Sequence, residues 1–285
     1  MRPDRFTSYH QWVNMYFKMW NPPWGGTKIV GLKGSHRDFL MANGLHQDML
    51  RRKRELVAPD LPPMSVLDPL ETPMVAEQRK VYNRLKKDYV AWDGSGTEVS
   101  AWSDGGLHTK LRLITSSLES AGLSGGGGKL DAVTLLAEAG VVPTIWFVWA
   151  RATARAVKER LDRVWGAGTT VAVTGEMPQR ERDDTIRAYQ AGSFPSLVAS
   201  VELLSEGVTL TQAHRAVFVE RSWRPTRNEQ ARRRIHRIGL DHPVTVQDLV
   251  TPKTVDAAMM RVLETKSDAQ VKMMRAHDFL AALDG

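Results

Sequence analysis

From Lys129 onward the chain alternates short apolar runs with amphipathic segments, and few folds accommodate that alternation. TIWFVWA (Thr144 to Ala150) is a continuous apolar run, as in a strand covered on both faces. KLDAVTLLAEAG before it and ATARAVKERLDRVW after it place apolar residues every three or four positions, the period of an amphipathic helix. TTVAVTG reads as a strand, ERDDTIRAYQAG as a helix that Gly192 caps, and SLVAS, RAVFVE and VTVQDLV as three more short strands. Helices are expected over Asn228 to Ile238 and Thr254 to Lys266. Strands and helices in this order, with short links, specify an α/β fold: a parallel sheet with helices on both faces. Ligands of such sheets bind at the carboxyl ends of the strands, so chemistry is sought there.

The first 122 residues read differently. Ser8 to Trp20 reads as a helix rich in aromatics and methionine, and His36 to Val57 as one or two basic helices. PPMSVLDPLE is an extended segment with no obvious partner strand in the chain. TPMVAEQRKVYNRLKKDYVAW reads as a long helix with Thr72 as N-cap and Pro73 at its first position. Asp93 to Gly106 reads as a soft interruption, and Leu123 to Gly128, LSGGGG, as a flexible joint. The expected organisation is a mostly helical region 1–122, a linker 123–128 and an α/β lobe 129–285.

The excess charge, 39 basic against 32 acidic residues, is small, so its distribution matters more than its size. Seven arginines and one acid (Glu229) lie between Arg221 and Arg237, and a second cluster runs Arg51 to Arg54. Such clusters suit phosphate groups of DNA or a nucleotide; the alternative is a solvated face. The absence of cysteine excludes disulfides and thiolate metal sites, and the scattered histidines offer no zinc spacing, so no metal ligands are expected. No apolar run reaches the length of a membrane helix, and the start resembles no signal peptide; a soluble, cytoplasmic protein is expected.

Three stretches fall at strand ends. TGEMPQRERDDTIRAY follows one strand and carries Arg182; ASVELLSEGVTLTQAHRAVFVERSWRP contains Ser200, Ser205 and Gly207; and NEQARRRIHRIG carries Gln230, Arg234 and Arg237. Arg234 and Arg237, at i and i+3, are expected on one helix face, where two guanidinium forks converge on one anion. Trp146 and Trp149 read as core or lobe-interface residues, the methionine pairs as core filler, and His236 as a packing or hydrogen-bonding residue.

QARRRIHRIG resembles the final motif of Swi/Snf-type helicases of superfamily two, and SVELLSEGVTLTQA with VFVERSWRP resembles the motif before it. TGEMPQRERDDTIRAY and TIWFVW match the family's spacing, GKLDAVTLLAE looks like the opening helix of its second RecA-like lobe, and VTVQDLVTPKTVDAAMMRVLETK like its close. LRRKRELVAPDLPP and VAEQRKVYNRL resemble segments that follow the first lobe's catalytic motifs, so region 1–122 is expected to be a mostly helical remnant of that first lobe. The variant looks closest to annealing-helicase and phage-encoded members; a phage origin would place it in a bacterial host's cytoplasm. The resemblance implies Arg234 and Arg237 as catalytic arginine fingers on the γ-phosphate, Gly207 and Gln230 at the nucleotide, and Ser200, Ser205 and Arg182 at the DNA backbone. It departs from the pattern at Leu204 and Ser205, where many members have two glycines, and at Arg224, Arg233 and Leu240.

GGGGKL lacks the first glycine of a phosphate loop and has Leu130 where Ser or Thr is required, and no Asp-Glu dipeptide occurs anywhere. ATP and Mg²⁺ are therefore expected to be held mainly by a separately encoded ATP-binding lobe, with double-stranded DNA as the other partner. The alternatives are a non-catalytic DNA- or partner-binding half-helicase, and a truncated product with no independent role.

Overall fold

A computed structural model of the chain describes residues 8–21, 23, 26–35, 39, 58–203 and 208–264. The chain divides into two compact units, Ala58–Leu263 and the segments Met1–Val57 with Glu264–Gly285. In the smaller unit, helix α1 (Tyr9–Tyr16) gives way to strand β1 (Phe17–Trp20), which pairs antiparallel with β2 (Lys28–Leu32). The helix expected over Ser8 to Trp20 thus stops halfway. Phe17 turns into the strand to pack its ring against Trp12 and Phe39, at 5.1 and 5.5 Å between centroids. The basic helices expected over His36 to Val57 fall almost wholly outside the described residues.

The larger unit begins with β3 (Met64–Val66) and β4 (Leu70–Glu71). Helix α2 (Ala76–Asp88), a hairpin of β5 (Val90–Trp92) and β6 (Glu98–Ser100), and helix α3 (Asp104–Ser116) follow. The alternating part comprises α4 (Gly128–Glu138), β7 (Thr144–Val148), α5 (Arg151–Trp165), β8 (Thr170–Val173), α6 (Gln179–Gln190) and β9 (Ser196–Ser200). It continues with β10 (Arg215–Phe218), α7 (Pro225–Ile235), β11 (Val244–Val250) and a helix α8 over 255–264. All seven main strands are parallel, in the order β3-β11-β10-β7-β9-β8, with β4 also on β11.

The two faces of the sheet follow from period-two alternation. Ile145 and Phe147 of β7 point to one side, joined by Leu197, Ala216 and Val246 and covered by Ile186 and Tyr189 of α6 and Ala231 and Ile235 of α7. Trp146 and Val148 point to the other, where Leu130 and Val133 of α4 and Val157 and Leu161 of α5 close over them. Every residue of β7 is buried, as its unbroken apolar run requires. A third cluster joins α2, the hairpin and α3 through Leu85, Ala91, Val99 and Ile114.

Three expectations about the first half are corrected. The segment Met64 to Glu71 is not orphaned: Met64 faces Val244 and Leu70 faces Leu249 on β11, so its backbone groups join the sheet of the α/β lobe. Residues 58–122 belong to the same compact unit as the strands that follow 123–128. The glycine run is tightly packed. A Cβ on Gly127 would lie 2.6 Å from Ser117 Cα, and one on Gly128 2.1 Å from the Pro73 carbonyl oxygen. Glycine is required because two backbones meet there, and the Gly125 and Gly126 carbonyls accept from Glu119 and Leu118. Finally, Thr72 caps no helix. Its N–H donates to the Val250 carbonyl and its hydroxyl meets that of Thr251 at 3.4 Å, while α2 starts at Ala76, where Gln78 Oε1 accepts from Val75 N.

Candidate functional site

β9 ends at Ser200, whose carbonyl accepts from Leu203 N at 3.1 Å and turns the chain toward α6. Ser205 and Gly207 lie outside the described residues. From Val208 the chain runs back along α7. Leu210 N donates to the Arg234 carbonyl at 2.9 Å, and Arg237 Nη1 donates to Thr209 Oγ1 at 3.2 Å. A cleft of about 870 Å³ opens between α6 and this segment, lined by Arg182, Asp183 and Arg187 on one side and Glu202, Leu203 and Thr209 on the other. Glu202 accepts from Ser222 Oγ and lies 3.8 Å from Arg227 Nε, which links the cleft to the start of α7. Arg182 and the segment bonded to Arg237 are therefore brought to one cleft; Ser200 and Gln230 do not line it.

The arginine helix differs from its expected bounds. It starts three residues earlier, at Pro225, because proline's fixed φ suits the first helical position; Asn228 braces that turn by accepting from Ser222 N and donating to the Ser222 carbonyl. It also ends three residues earlier. His236 leaves helical geometry (φ −94°, ψ 86°) and donates Nε2–H to the Pro62 carbonyl at 2.7 Å. Arg234 is thus in the last helical turn, whereas Arg237 stands in the turn beyond it. Arg237 is exposed and Arg234 half-buried.

The seven clustered arginines do not form one free basic face. Arg221 grips Asp248 of β11 through two bonds in a largely buried pair, Arg227 is near Glu202, and Arg233 bonds Glu229 at 2.9 Å. Arg232 is half-buried; burial, then the charge of Arg221, pushes its pKa below the usual arginine range.

Beside the strand ends lies a polar network that the sequence reading overlooked. The Glu220 carboxylate, two residues beyond β10, accepts from the N–H groups of Trp149 and Ala150, both at 2.8 Å, and from the hydroxyls of Ser116 at 2.6 Å and Thr153 at 2.8 Å. One buried acid thus ties α3 and α5 to the strand that leads into the arginine helix. Arg112 of α3 holds its guanidinium 4.1 Å from the Trp149 ring and 5.5 Å from that of Trp223, and donates to the Arg221 carbonyl at 2.7 Å. Burial lowers the Arg112 pKa, opposed by the charge of Glu220. His108, whose ring lies 4.9 Å from Trp223, is lowered by burial and then by Arg112. The signal available in the sequence was an arginine set between Leu111 and Leu113. Lys129, of the false phosphate loop, is buried and donates to Asp256 at 2.8 Å and to the Val219 carbonyl at 2.7 Å.

Residues 129–239 match the family model described as "Helicase conserved C-terminal domain". The mouse DNA annealing helicase and endonuclease ZRANB3 is 22% identical over 93% of this chain and 24% of its own length. A Drosophila SWI/SNF-related regulator of chromatin, subfamily A-like protein 1, is 30% identical over 36% of this chain and 14% of its own. Residues 129–239 carry a helicase C-terminal domain, and the chain is similar to the C-terminal lobe of Swi/Snf-type helicases. The crystal structure of the C-terminal part of the Fun30 ATPase domain shares the fold of this helicase lobe: TM-score 0.56, 16% identity, 78% of this chain and 97% of that one. The chain spans about a quarter or less of the length of the two curated relatives. The annealing-helicase affinity read from the motifs is matched by the mouse relative; neither relative is phage-encoded. Among the described residues no helix is long and apolar enough to cross a membrane.

Proposed function

We propose that this lobe is one half of an ATP-driven DNA translocase, closing against a nucleotide-binding lobe that carries the phosphate loop and metal carboxylates. The observation that carries the reading is the clamp of the arginine motif onto the cleft: Arg237 on Thr209 and the Arg234 carbonyl on Leu210. ATP with Mg²⁺ supplies the phosphoryl group to be transferred, and that group needs positive charge where its oxygens sit. Arg237 fits that need: it is exposed and held by a single hydroxyl among the described residues. Arg234 stands beside it as the second finger, and Gln230 with Gly207 lines the nucleotide side. Arg182, on the cleft wall, faces DNA phosphates together with Ser200 and Ser205, and the protein works in the cytoplasm. Duplex DNA is bound through its backbone, without reading bases.

The test combines this chain with a nucleotide-binding lobe of the same family and follows DNA-stimulated ATP hydrolysis. Arg237→Ala is expected to lower turnover by on the order of a thousandfold, the size of an arginine-finger loss, with thermal unfolding unchanged. Full turnover in that variant, or hydrolysis by the chain alone, refutes the assignment.

A further inference from the structure

The hairpin β5–β6 and helix α2 present a second surface, formed by residues that the cleft does not use. The hairpin is rigid. Its inward residues Ala91 and Val99 are buried in the core shared by α2 and α3. Its turn is held by Asp93, which accepts from the N–H groups of Ser124 at 2.6 Å and of Ser95 and Thr97 at 2.9 Å. Yet it carries two exposed indoles. Trp92 is on the outward face, and Trp102, just past β6, is 95% exposed. The backbone around Trp102 is fixed on both sides: Ala101 N donates to the Tyr89 carbonyl at 2.8 Å, and Ser103 caps α3 by accepting from Gly106 N at 3.1 Å. A large ring on so firm a support is not exposed through looseness of the chain.

The flanking charge is basic. Lys80, Arg84 and Lys87 fall at i, i+4 and i+7, on one stripe of α2. Arg84 holds its guanidinium 5.0 Å from the Trp92 ring centroid. Lys87 is exposed and has no ion-pair partner among the described residues. The acids nearby are partly occupied: Glu77 pairs with Lys80 at 3.8 Å, Asp93 is consumed by the turn, and Asp104 accepts from Tyr89 Oη at 2.6 Å. Glu98, opposite Trp92, and Asp88 remain.

We infer that this surface binds unpaired nucleic-acid bases, stacking them on Trp92 and Trp102 while Arg84 and Lys87 hold the phosphates. Aromatic rings interleaved with basic side chains are what single strands require, because every base has a face to stack and every linkage a charge to neutralise. A duplex offers phosphates but keeps its bases stacked on one another, so it leaves the two indoles without a role. Trp102 lies four residues beyond Glu98, the partner of Trp92, and two beyond the end of β6, so at about 3.3 Å per residue the two are at most about 13 Å apart along the chain. A few nucleotides of single strand cover that span, the lower end of known single-strand site sizes. The inference goes beyond the translocase reading and holds whether or not the cleft hydrolyses ATP.

Fluorescence anisotropy of the full chain with a labelled oligothymidine of about 20 nucleotides tests it, beside a duplex and an abasic oligomer of equal length. Trp92→Ala and Trp102→Ala are each expected to weaken oligothymidine binding roughly five- to a hundredfold, the measured scale for one stacked base, and to leave duplex affinity unchanged. The pair Arg84→Glu and Lys87→Glu is expected to weaken oligothymidine binding further and flatten its salt dependence. Circular dichroism confirms folding, since none of these side chains is buried. Unchanged oligothymidine affinity in Trp102→Ala overturns the inference, as does equal affinity for the abasic oligomer. Self-association that disappears with Trp102→Ala would assign the surface to a second copy and overturn it too. Single-strand binding without duplex binding supports this surface and counts against the cleft.

Discussion

Glu220 is the residue at which charge and shape can be separated experimentally. Its carboxylate is 5% exposed, and its two oxygens serve different donors. Oε2 accepts from the backbone N–H groups of Trp149 and Ala150, and Oε1 from the hydroxyls of Ser116 and Thr153. Glu220→Ala leaves four donors facing a void, and the two backbone groups cannot turn away. Hydrogen bonds to a charged acceptor contribute about 1.5–3 kcal/mol each, but neighbouring ones are not additive. Allowing for water entering at the start of α5, the expected loss is about 3–5 kcal/mol. Glu220→Gln keeps the volume. Its amide oxygen faces the two fixed N–H groups and its NH₂ donates to the two hydroxyls, which rotate to accept. The expected loss is then about 1–2 kcal/mol, the difference between a charged and a neutral acceptor. Urea unfolding by far-ultraviolet circular dichroism, with equal m-values, measures both. A Gln variant as damaged as the Ala variant refutes the rotation argument, and an Ala variant losing under about 1 kcal/mol refutes the role of Glu220 as a hub.

Lys129→Ala strands Asp256 in the interior with Thr251 N as its remaining donor, and is expected to lower unfolding free energy by about 3–5 kcal/mol; Lys129→Ala with Asp256→Ala should lose less than the sum. Gly127→Ala drives a Cβ to 2.6 Å from Ser117 Cα, whereas Gly105→Ala meets nothing within 4 Å; thermal melts should show a loss of about 1–3 kcal/mol or more for the first and none for the second. The Asp93 carboxyl is held down to about 2, first by the Ser124 N–H and then by Ser95. Because its folded pKa lies below the unfolded value of about 3.9, its contribution is complete above about pH 5 and fades as pH falls through 4 toward 2; Asp93→Asn should flatten that part of an acid unfolding profile.

The strands of the lobe were legible wherever an apolar run was both short and unbroken, as in Ile145 to Val148, because burial on two faces leaves no polar position. Met64 to Glu71 showed no partner because its neighbour, Val244 to Val250, lies far along the chain and parallel pairing leaves no local turn signal. The glycine run misled for a related reason: its composition describes a loose linker, and only the approach of Pro73 and Ser117 shows why side chains are excluded. Within the site, the early start of the arginine helix was signalled by Pro225, but its early end depends on His236 reaching Pro62, a contact with no local signature. Of the residues taken from motif resemblance, Arg182 lines the cleft and Arg237 bonds its wall; the Glu220 hub, set two residues past an apolar strand, carried no signal of its own in the motif.

The lobe's first and last strands, β3 and β11, are immediate neighbours running the same way. Tension applied between residue 58 and residue 263 therefore loads the β3–β11 ladder, and that of β4, along the strand direction. Every rung in the patch is strained at once, whereas an antiparallel hairpin pulled at its open end peels one rung at a time. A lobe strung this way behaves as a stiff mechanical link, yielding late and abruptly under pulling force.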